Sequence, residues 1–239
     1  MTIPKPLSRL IGKAMHDYQM LADGDHVMVA VSGGIDSLVL AAVLHEWRKK
    51  APIRYTLHAV HIDMGFTEGS VAAATVKELA RHDIDCEIEQ TSFGAEAVAT
   101  EDGRSGCFHC ARNRRTRLFD LARRTGCNKL ALGHHREDII ETFFLNLFYS
   151  GNLSTMVPRQ LLFDGNLAVI RPLAYLTKNQ VGSLAGVFSL SASPNPCPLA
   201  GSSKRETIRT MLGDLYARDE HLESRIFAAL SNVRLDYLL

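Results

Sequence analysis

Apolar positions along the chain come in blocks that switch between a helical rhythm and a strand-like one. Leu7 to Leu21 carries apolar residues at helical spacing and stops at Asp23-Gly24-Asp25, a turn signal. Val27-Met28-Val29-Ala30-Val31 is a continuous apolar run that predicts a buried strand, and Ser37 to Lys49 returns to a helical pattern. The alternation continues with a strand over Tyr55 to Ile62, a helix from about Gly69 to His82 and a short strand near Cys86 to Gln90. Asn128 to Leu132 predicts another strand and Arg136 to Tyr149 another helix. Such alternation predicts an α/β fold of parallel β-α-β units, a Rossmann-like sheet covered on both faces. Ligands on these sheets bind at the carboxyl ends of the strands, where the strand order reverses. If the strands before Ser32 and Gly133 are neighbours, the two loops that follow them meet at that point.

Two stretches break the rhythm. Thr91 to Gly106 is rich in small and charged residues and reads as a mobile loop. After Pro158, Arg159 to Arg171 with a turn at Asp164-Gly165-Asn166 predicts a β-hairpin, and helices are expected from about Thr177 and Lys204. The expected division is an N-terminal helix over 1–24, an α/β domain over 25–158 and a short hairpin and helical extension over 159–239.

Composition narrows the picture only a little. At 239 residues and 46% hydrophobic, the chain suffices for one well-packed globular unit. Its formal charge is +1, from 27 Lys+Arg against 26 Asp+Glu, which argues against a generally basic nucleic-acid binder but leaves room for a local patch. No run of 18 apolar residues suggests a membrane span, and Met1 to Lys13 lacks the apolar core of a signal peptide, so a cytoplasmic protein is expected. Five cysteines, an odd number, speak against a disulfide framework; two of them spaced Cys-x-x-Cys point to metal or redox chemistry.

Ser32-Gly33-Gly34-Ile35-Asp36-Ser37 joins a predicted strand to a predicted helix. Glycines let backbone N–H groups approach a phosphate closely, and the first turn of a helix leaves its donors unpaired at the positive end of the dipole. Ser32 and Ser37 add hydroxyls. Asp36 is an odd group to aim at a phosphate unless a cation mediates, which suggests Mg2+. The competing reading is a tight turn with Ser37 as helix cap. A second segment, Gly133-His134-His135-Arg136-Glu137-Asp138-Ile139-Ile140-Glu141-Thr142, also follows a strand and opens a helix. Asp138 and Glu141, three apart, share a face there, and His134 and Asp138 are expected near the same phosphate–Mg2+ region as Asp36. Solvated acids with a capping histidine are the plain alternative.

Cys107-Phe108-His109-Cys110 lies between the predicted loop and a basic helix, and Cys197 lies in Pro194-Asn195-Pro196-Cys197-Pro198. A Cys-x-x-Cys pair binds a soft metal centre readily; zinc held by the three cysteines and His109, a redox dithiol and an iron–sulfur cluster all remain open on spacing alone. Cys86 and Cys127 read as small packed hydrophobes. Arg112, Arg114, Arg115, Arg117, Arg123 and Arg124 crowd the helix after Cys110 and, with Lys204, Arg205 and Arg209, could follow nucleic-acid phosphates or form a solvated face. Phe108 and His109 are candidates to stack on a flipped base.

The Ser-Gly-Gly-x-Asp-Ser string resembles the PP-loop (N-type) ATP pyrophosphatases, a resemblance that implies an adenine nucleotide alpha-hydrolase-like fold and cleavage of ATP between the α and β phosphates. AMP would go onto a carbonyl oxygen, which leaves when a nucleophile attacks. With Cys-x-x-Cys before an Arg-rich helix, Leu-Gly-His-His-Arg-Glu-Asp-Ile-Ile-Glu-Thr, Asn146-Leu147-Phe148-Tyr149 and Arg171-Pro172-Leu173, the chain is similar to the tRNA 2-thiocytidine synthetases (the TtcA family) from about Arg9 to Asn232. That resemblance implies adenylation of an anticodon-loop cytidine and replacement of its oxygen by sulfur. It also implies a 4Fe-4S cluster on Cys107, Cys110 and Cys197 whose open iron carries the sulfur, and as partners tRNA and a sulfur donor such as a cysteine desulfurase; it leaves a homodimer open. Ser32, Gly33, Gly34, Asp36, Ser37, Asp63, Gly133, His134 and Asp138 form the expected nucleotide set, with Asp36, Asp138, Cys107 and Cys197 in catalysis. The chain departs from the family at Ile35, where a lysine is usual, at Ala200, where a further cysteine is common, and in being shorter at both ends.

Overall fold

The computed structural model describes residues 2–66, 70–99, 103–198, 200 and 203–237. Its elements run α1 (Lys5–Asp17), β1 (His26–Ala30), α2 (Ile35–Arg48), β2 (Thr56–Asp63), α3 (Ser70–Ala80), β3 (Cys86–Gln90), α4 (Phe93–Ala99) and α5 (Gly103–Arg124). They continue with β4 (Lys129–Ala131), α6 (Arg136–Ser150), β5 (Arg159–Leu162), β6 (Leu167–Ile170), α7 (Lys178–Phe188), α8 (Lys204–Tyr216) and α9 (Leu222–Ala229), then a short 3-10 turn, Leu235–Tyr237. The predicted start of the third helix, Gly69, lies outside the described residues. Among the described residues no helix is long and apolar enough to cross a membrane.

The chain divides into two compact units, Met1–His135 with Pro158–Ala200, and Arg136–Val157 with Gly201–Leu239. The first is an α/β unit whose six strands lie in the order β3-β2-β1-β4-β6-β5. All neighbours are parallel except the β5–β6 hairpin at one edge. The period-2 alternation of β1 divides its side chains between two cores. Val27 and Val29 pack with α1, α2 and α7 through Ile11, Leu40, Val43, Leu184 and Phe188. Met28 faces the other way, onto Leu118, Leu121 and Ala122 of α5. A sheet buried on both faces, as the alternation predicts, follows from that split. At the amino ends of the strands, buried Asp25 accepts from Asn128 Nδ2 at 2.8 Å while the Asn128 side-chain oxygen accepts from the His26 N–H at 2.9 Å, which fixes β1 beside β4.

Two expectations are corrected. Most of the stretch expected as a loop is helical: α4 covers Phe93–Ala99 and α5 begins at Gly103, while residues 100–102 lie outside the described residues. α4 itself holds three alanines and a glutamate, strong helix formers, so a stretch of small and charged residues here favours a short helix. The hairpin is not part of an appendage either. All four residues of β6 are buried and it pairs in parallel with β4, so the hairpin completes the main sheet.

The second unit is helical. Ile140 of α6 packs with Ile208 and Leu212 of α8, and Phe144, Ile226 and Phe227 surround them. Inside it Glu141 is almost fully buried and is held by Arg209, which donates Nε to Oε1 at 2.8 Å and Nη2 to Oε2 at 3.2 Å. A buried carboxylate requires such charge-assisted bonds.

Candidate nucleotide and thiol site

β1 and β4 are neighbours, so the loops leaving their carboxyl ends adjoin, and the order reverses there: β2 and β3 lie to one side of β1, β6 and β5 beyond β4. Contact between the loops is direct. A Cβ placed on Gly133 would lie 2.8 Å from the Asp36 carbonyl oxygen and 3.0 Å from the Ser37 nitrogen. Only glycine lets the end of β4 approach the first turn of α2 this closely.

The Ser32–Ser37 loop is held by its own hydroxyls. The Ser37 hydroxyl donates to the Gly34 carbonyl at 2.7 Å and accepts from the Ser32 N–H at 3.0 Å. With its one proton so used, its 3.1 Å contact with the Ser32 hydroxyl makes Ser32 the donor. Ser37 is not the helix cap: it is buried in the third helical position, with Gly34 as the cap residue, and its hydroxyl braces the loop. Gly33 has φ +83°, and a Cβ there would meet Thr75 Oγ1 at 2.8 Å, so both backbone conformation and space demand glycine. The Gly33 carbonyl accepts from the Ser193 N–H at 3.1 Å. The Ser37 and Leu38 N–H groups both turn back to the Gly34 carbonyl, at 3.1 and 3.2 Å; the donors at the very start of a helix are in general left without intrahelical acceptors, which suits an anion.

Behind the loop lies buried His61, whose Nδ1 is 2.9 Å from the Val31 carbonyl. A carbonyl can only accept, so Nδ1 carries the proton. Burial depresses the pKa of this imidazole, partly offset by the bond to Val31. At the end of β2, Asp63 Oδ1 accepts from the Gly65 N–H at 3.0 Å, and the Asp63 carbonyl accepts from Thr91 through both its N–H and its hydroxyl.

Two cations that sequence reasoning did not assign contact the candidate set. Lys178, the first residue of α7, places Nζ 2.6 and 2.7 Å from the two carboxylate oxygens of Asp36. Arg171 is buried, and its Nε donates to His134 Nδ1 at 3.2 Å, which makes Nδ1 the unprotonated nitrogen of His134. Arg171 was legible only as part of a motif. The Lys178–Asp36 pair joins residues far apart in the chain and leaves no periodic signal. Asp138, expected with the nucleotide, is held within the helical unit: Arg205 lies 3.4 Å from it and 3.5 Å from Glu141, which bears out the shared face of the two acids.

Cys107 and Cys110 are not on a loop before a helix. Both are on α5, three residues apart and therefore on one face. Cys107 is exposed, while Cys110 and Cys197 are half-buried, and all three are free thiols. Burial pushes the Cys110 thiol up, Arg114 lowers it, and Cys197 and Cys107 raise it further, so the three sulfurs share one electrostatic neighbourhood. Cys197 is set in a turn in which Asn195 Oδ1 accepts its N–H at 3.1 Å and its carbonyl accepts from Ala200. Three soft donors beside a cation suit a soft, negatively charged thiolate-bound centre. Among the described residues no three of His, Cys, Asp or Glu converge tightly enough for a single metal ion.

Beside these thiols Phe108 is 64% exposed and meets His109 edge-on, with centroids 5.7 Å apart. Arg112, Arg114, Arg115, Arg123 and Arg124 are exposed, whereas Arg117 is half-buried and engages Glu89. Of the other cysteines Cys127 is buried, and burial pushes the Cys86 thiol to about 11, consistent with packing residues.

A PP-loop domain family matches residues 6–213. A tRNA-cytidine(32) 2-sulfurtransferase of Alkalilimnicola ehrlichii is 39% identical over 243 residues, covering 99% of this chain and 76% of its own length. One from Syntrophotalea carbinolica is 38% identical over 238 residues, covering 98% and 92%. Among solved structures, the U34-tRNA thiolase NcsA from Methanococcus maripaludis, determined with its 4Fe-4S cluster, has a TM-score of 0.76 at 23% identity over 97% of this chain and 79% of that one. An NH3-dependent NAD synthetase from Campylobacter jejuni has a TM-score of 0.52 at 18% identity, covering 97% of this chain and 93% of its own. At these identities the two structures bear on the fold.

Proposed function

Because the chain belongs to the tRNA-cytidine(32) 2-sulfurtransferases of the PP-loop family, we propose that it uses ATP to thiolate a cytidine in the tRNA anticodon loop. The observation that carries the ATP half of this reading is the close approach of Gly133 to the first turn of α2, which joins the two loops at the point where the strand order reverses. The N–H groups of Gly33, Gly34 and the α2 N-terminus receive the phosphates, with Asp36 presenting a carboxylate for Mg2+. His134 and Asp63 border the same ends of the strands. The base carbonyl oxygen attacks the α-phosphorus and pyrophosphate leaves. A sulfur nucleophile then adds at the activated carbon, and AMP departs with the original oxygen.

Cys107, Cys110 and Cys197 are the residues that would hold a 4Fe-4S cluster, which when bound supplies an iron not ligated by protein for the incoming sulfur. The exposed arginines of α5 follow the tRNA backbone, and Phe108 offers a stacking surface for an extruded base. A cysteine desulfurase, or another persulfide source, supplies the sulfur, and a thiol reductant contributes the two electrons that cleave the S–S bond and release it at the sulfide level.

The test is pyrophosphate release by anaerobically purified protein, with and without tRNA, together with nucleoside analysis of tRNA from a strain lacking the protein. Release that depends on tRNA, and loss of one thiolated cytidine from the strain, are expected. ATP turnover yielding ADP, or tRNA with an unchanged set of thiolated nucleosides, refutes the reading.

A further inference from the structure

The nucleotide loop carries no cation of its own. From Ser32 to Ser37 its side chains are hydroxyls, an aspartate and Ile35. Ile35, the first residue of α2, is turned against the main core of the α/β unit. The one charged side chain of the loop is the Asp36 carboxylate, which repels a polyphosphate until a cation offsets it. Arg171, buried and bonded to His134, is placed at the β4 loop instead.

A cation reaches the loop from α7. Lys178 is its first residue, and the turn before it is fixed by a reciprocal cap: the Thr177 side chain accepts from the Gln180 N–H, and the Gln180 side chain accepts from the Thr177 N–H at 2.9 Å. Val181 and Leu184 on the next turn are fully buried in the same core as Leu38, Val39 and Ala42 of α2, so the origin of the lysine is rigid relative to the loop. The side chain itself is half-exposed, with its ammonium on both oxygens of Asp36 and four rotatable carbons behind it.

We propose that Lys178 is the phosphate-binding cation of this site: it neutralises Asp36 while the loop is empty and moves onto the pyrophosphate-side phosphates of ATP when the nucleotide binds. The lysine then offsets, alongside Mg2+ on Asp36, the charge that develops on the departing pyrophosphate, which the loop hydroxyls and the helix dipole meet only in part. The inference rests on ATP binding at the Ser32–Ser37 loop.

The experiment compares ATP and AMP binding to the full chain by calorimetry for wild type, K178M and K178R. Methionine keeps most of the stem and removes the charge; arginine keeps the charge. K178M is expected to weaken ATP about tenfold, about 1.4 kcal/mol, to leave AMP within about twofold, and to melt within a few degrees of wild type. K178R is expected to retain most of the ATP affinity. A purely structural strut between α7 and the loop would change ATP and AMP binding alike, and that result overturns the proposal, as does unchanged ATP binding by K178M. Failure of the wild type to bind ATP would instead refute the assignment of the loop itself.

Discussion

Replacing Gly133 by alanine adds one methyl group where the end of β4 meets the first turn of α2. That carbon would stand 2.8 Å from the carbonyl oxygen of Asp36, 2.9 Å from its carbonyl carbon and 3.0 Å from the nitrogen of Ser37. All three are main-chain atoms of the first turn of α2, so no side chain can rotate away; β4 and α2 must separate by several tenths of an ångström. Overpacking of this kind costs about 1–3 kcal/mol. Gly133 is not among the glycines at positive φ, so alanine also regains about 0.4–1 kcal/mol by restricting the unfolded chain. The net expectation is a loss of up to about 2.6 kcal/mol, at about 2–4 °C in Tm per kcal/mol. ATP affinity should fall too, because the displaced turn is the one proposed to present its N–H groups to the phosphates. Gly182 is the internal control: it lies exposed within α7 with nothing near its missing Cβ, and G182A should raise Tm through helix propensity. Thermal unfolding and ATP calorimetry on both variants decide the matter. A G133A protein that melts at or above wild type and binds ATP equally well refutes the close-approach argument.

Acid should destabilise the protein earlier than its carboxylates alone would require. Burial depresses the pKa of both His61 and His45 in the folded state, so below the ordinary histidine value of 6.5 the unfolded chain binds more protons and stability falls with pH. H61N, which can keep a donor toward Val31, should flatten the dependence of unfolding free energy on pH between about 7 and 5; an unchanged slope contradicts the assignment. In the helical unit, R209A should cost about 1–3 kcal/mol, since it removes two charge-assisted bonds from a buried carboxylate and leaves only the longer contact of Arg205; hydrogen exchange in α6 reports it. Serine at Cys107, Cys110 or Cys197 should each abolish the brown colour and visible absorbance of anaerobically prepared protein, while serine at Cys86 should not. Retained absorbance in any of the first three would remove that residue from the proposed set.

The parts of the site that rest on local pattern were legible in the sequence. Val27 to Val31, the glycines after it and the helix that follows form a strand, turn and helix over consecutive residues, and hydrophobic periodicity reports such order directly. Adjacency of β1 and β4 was an expectation conditional on topology, which the strand order meets. Two features escaped for different reasons. Residues 93–99 are too few, and the buried pair Gly94 and Ala97 too small, to show a helical stripe in hydrophobicity, so their composition suggested a loop although their propensity favours a helix. Lys178 escaped because its partnership with Asp36 is made by the packing of α7 on α2. Leu167-Ala168-Val169-Ile170 did carry a usable signal: four apolar residues without alternation indicate a strand covered on both faces, not a peripheral hairpin arm.

The chain leaves the helical unit after Val157, completes the sheet with β5, β6 and α7, and returns only after Ala200. This detour has a consequence for the order of synthesis. When α6 emerges from a ribosome, Ile140 has no Ile208 to pack on and Glu141 no Arg209 to neutralise it. Both arrive only with the last stretch of the chain. The α/β unit is encoded completely before α8 begins and is free to fold first, whereas α6 must wait with an apolar and acidic face uncovered. A stop codon near residue 200 would therefore spare the sheet and the three cysteines but strand α6, making chaperone capture and proteolysis at 136–157 the expected fate of the truncated product.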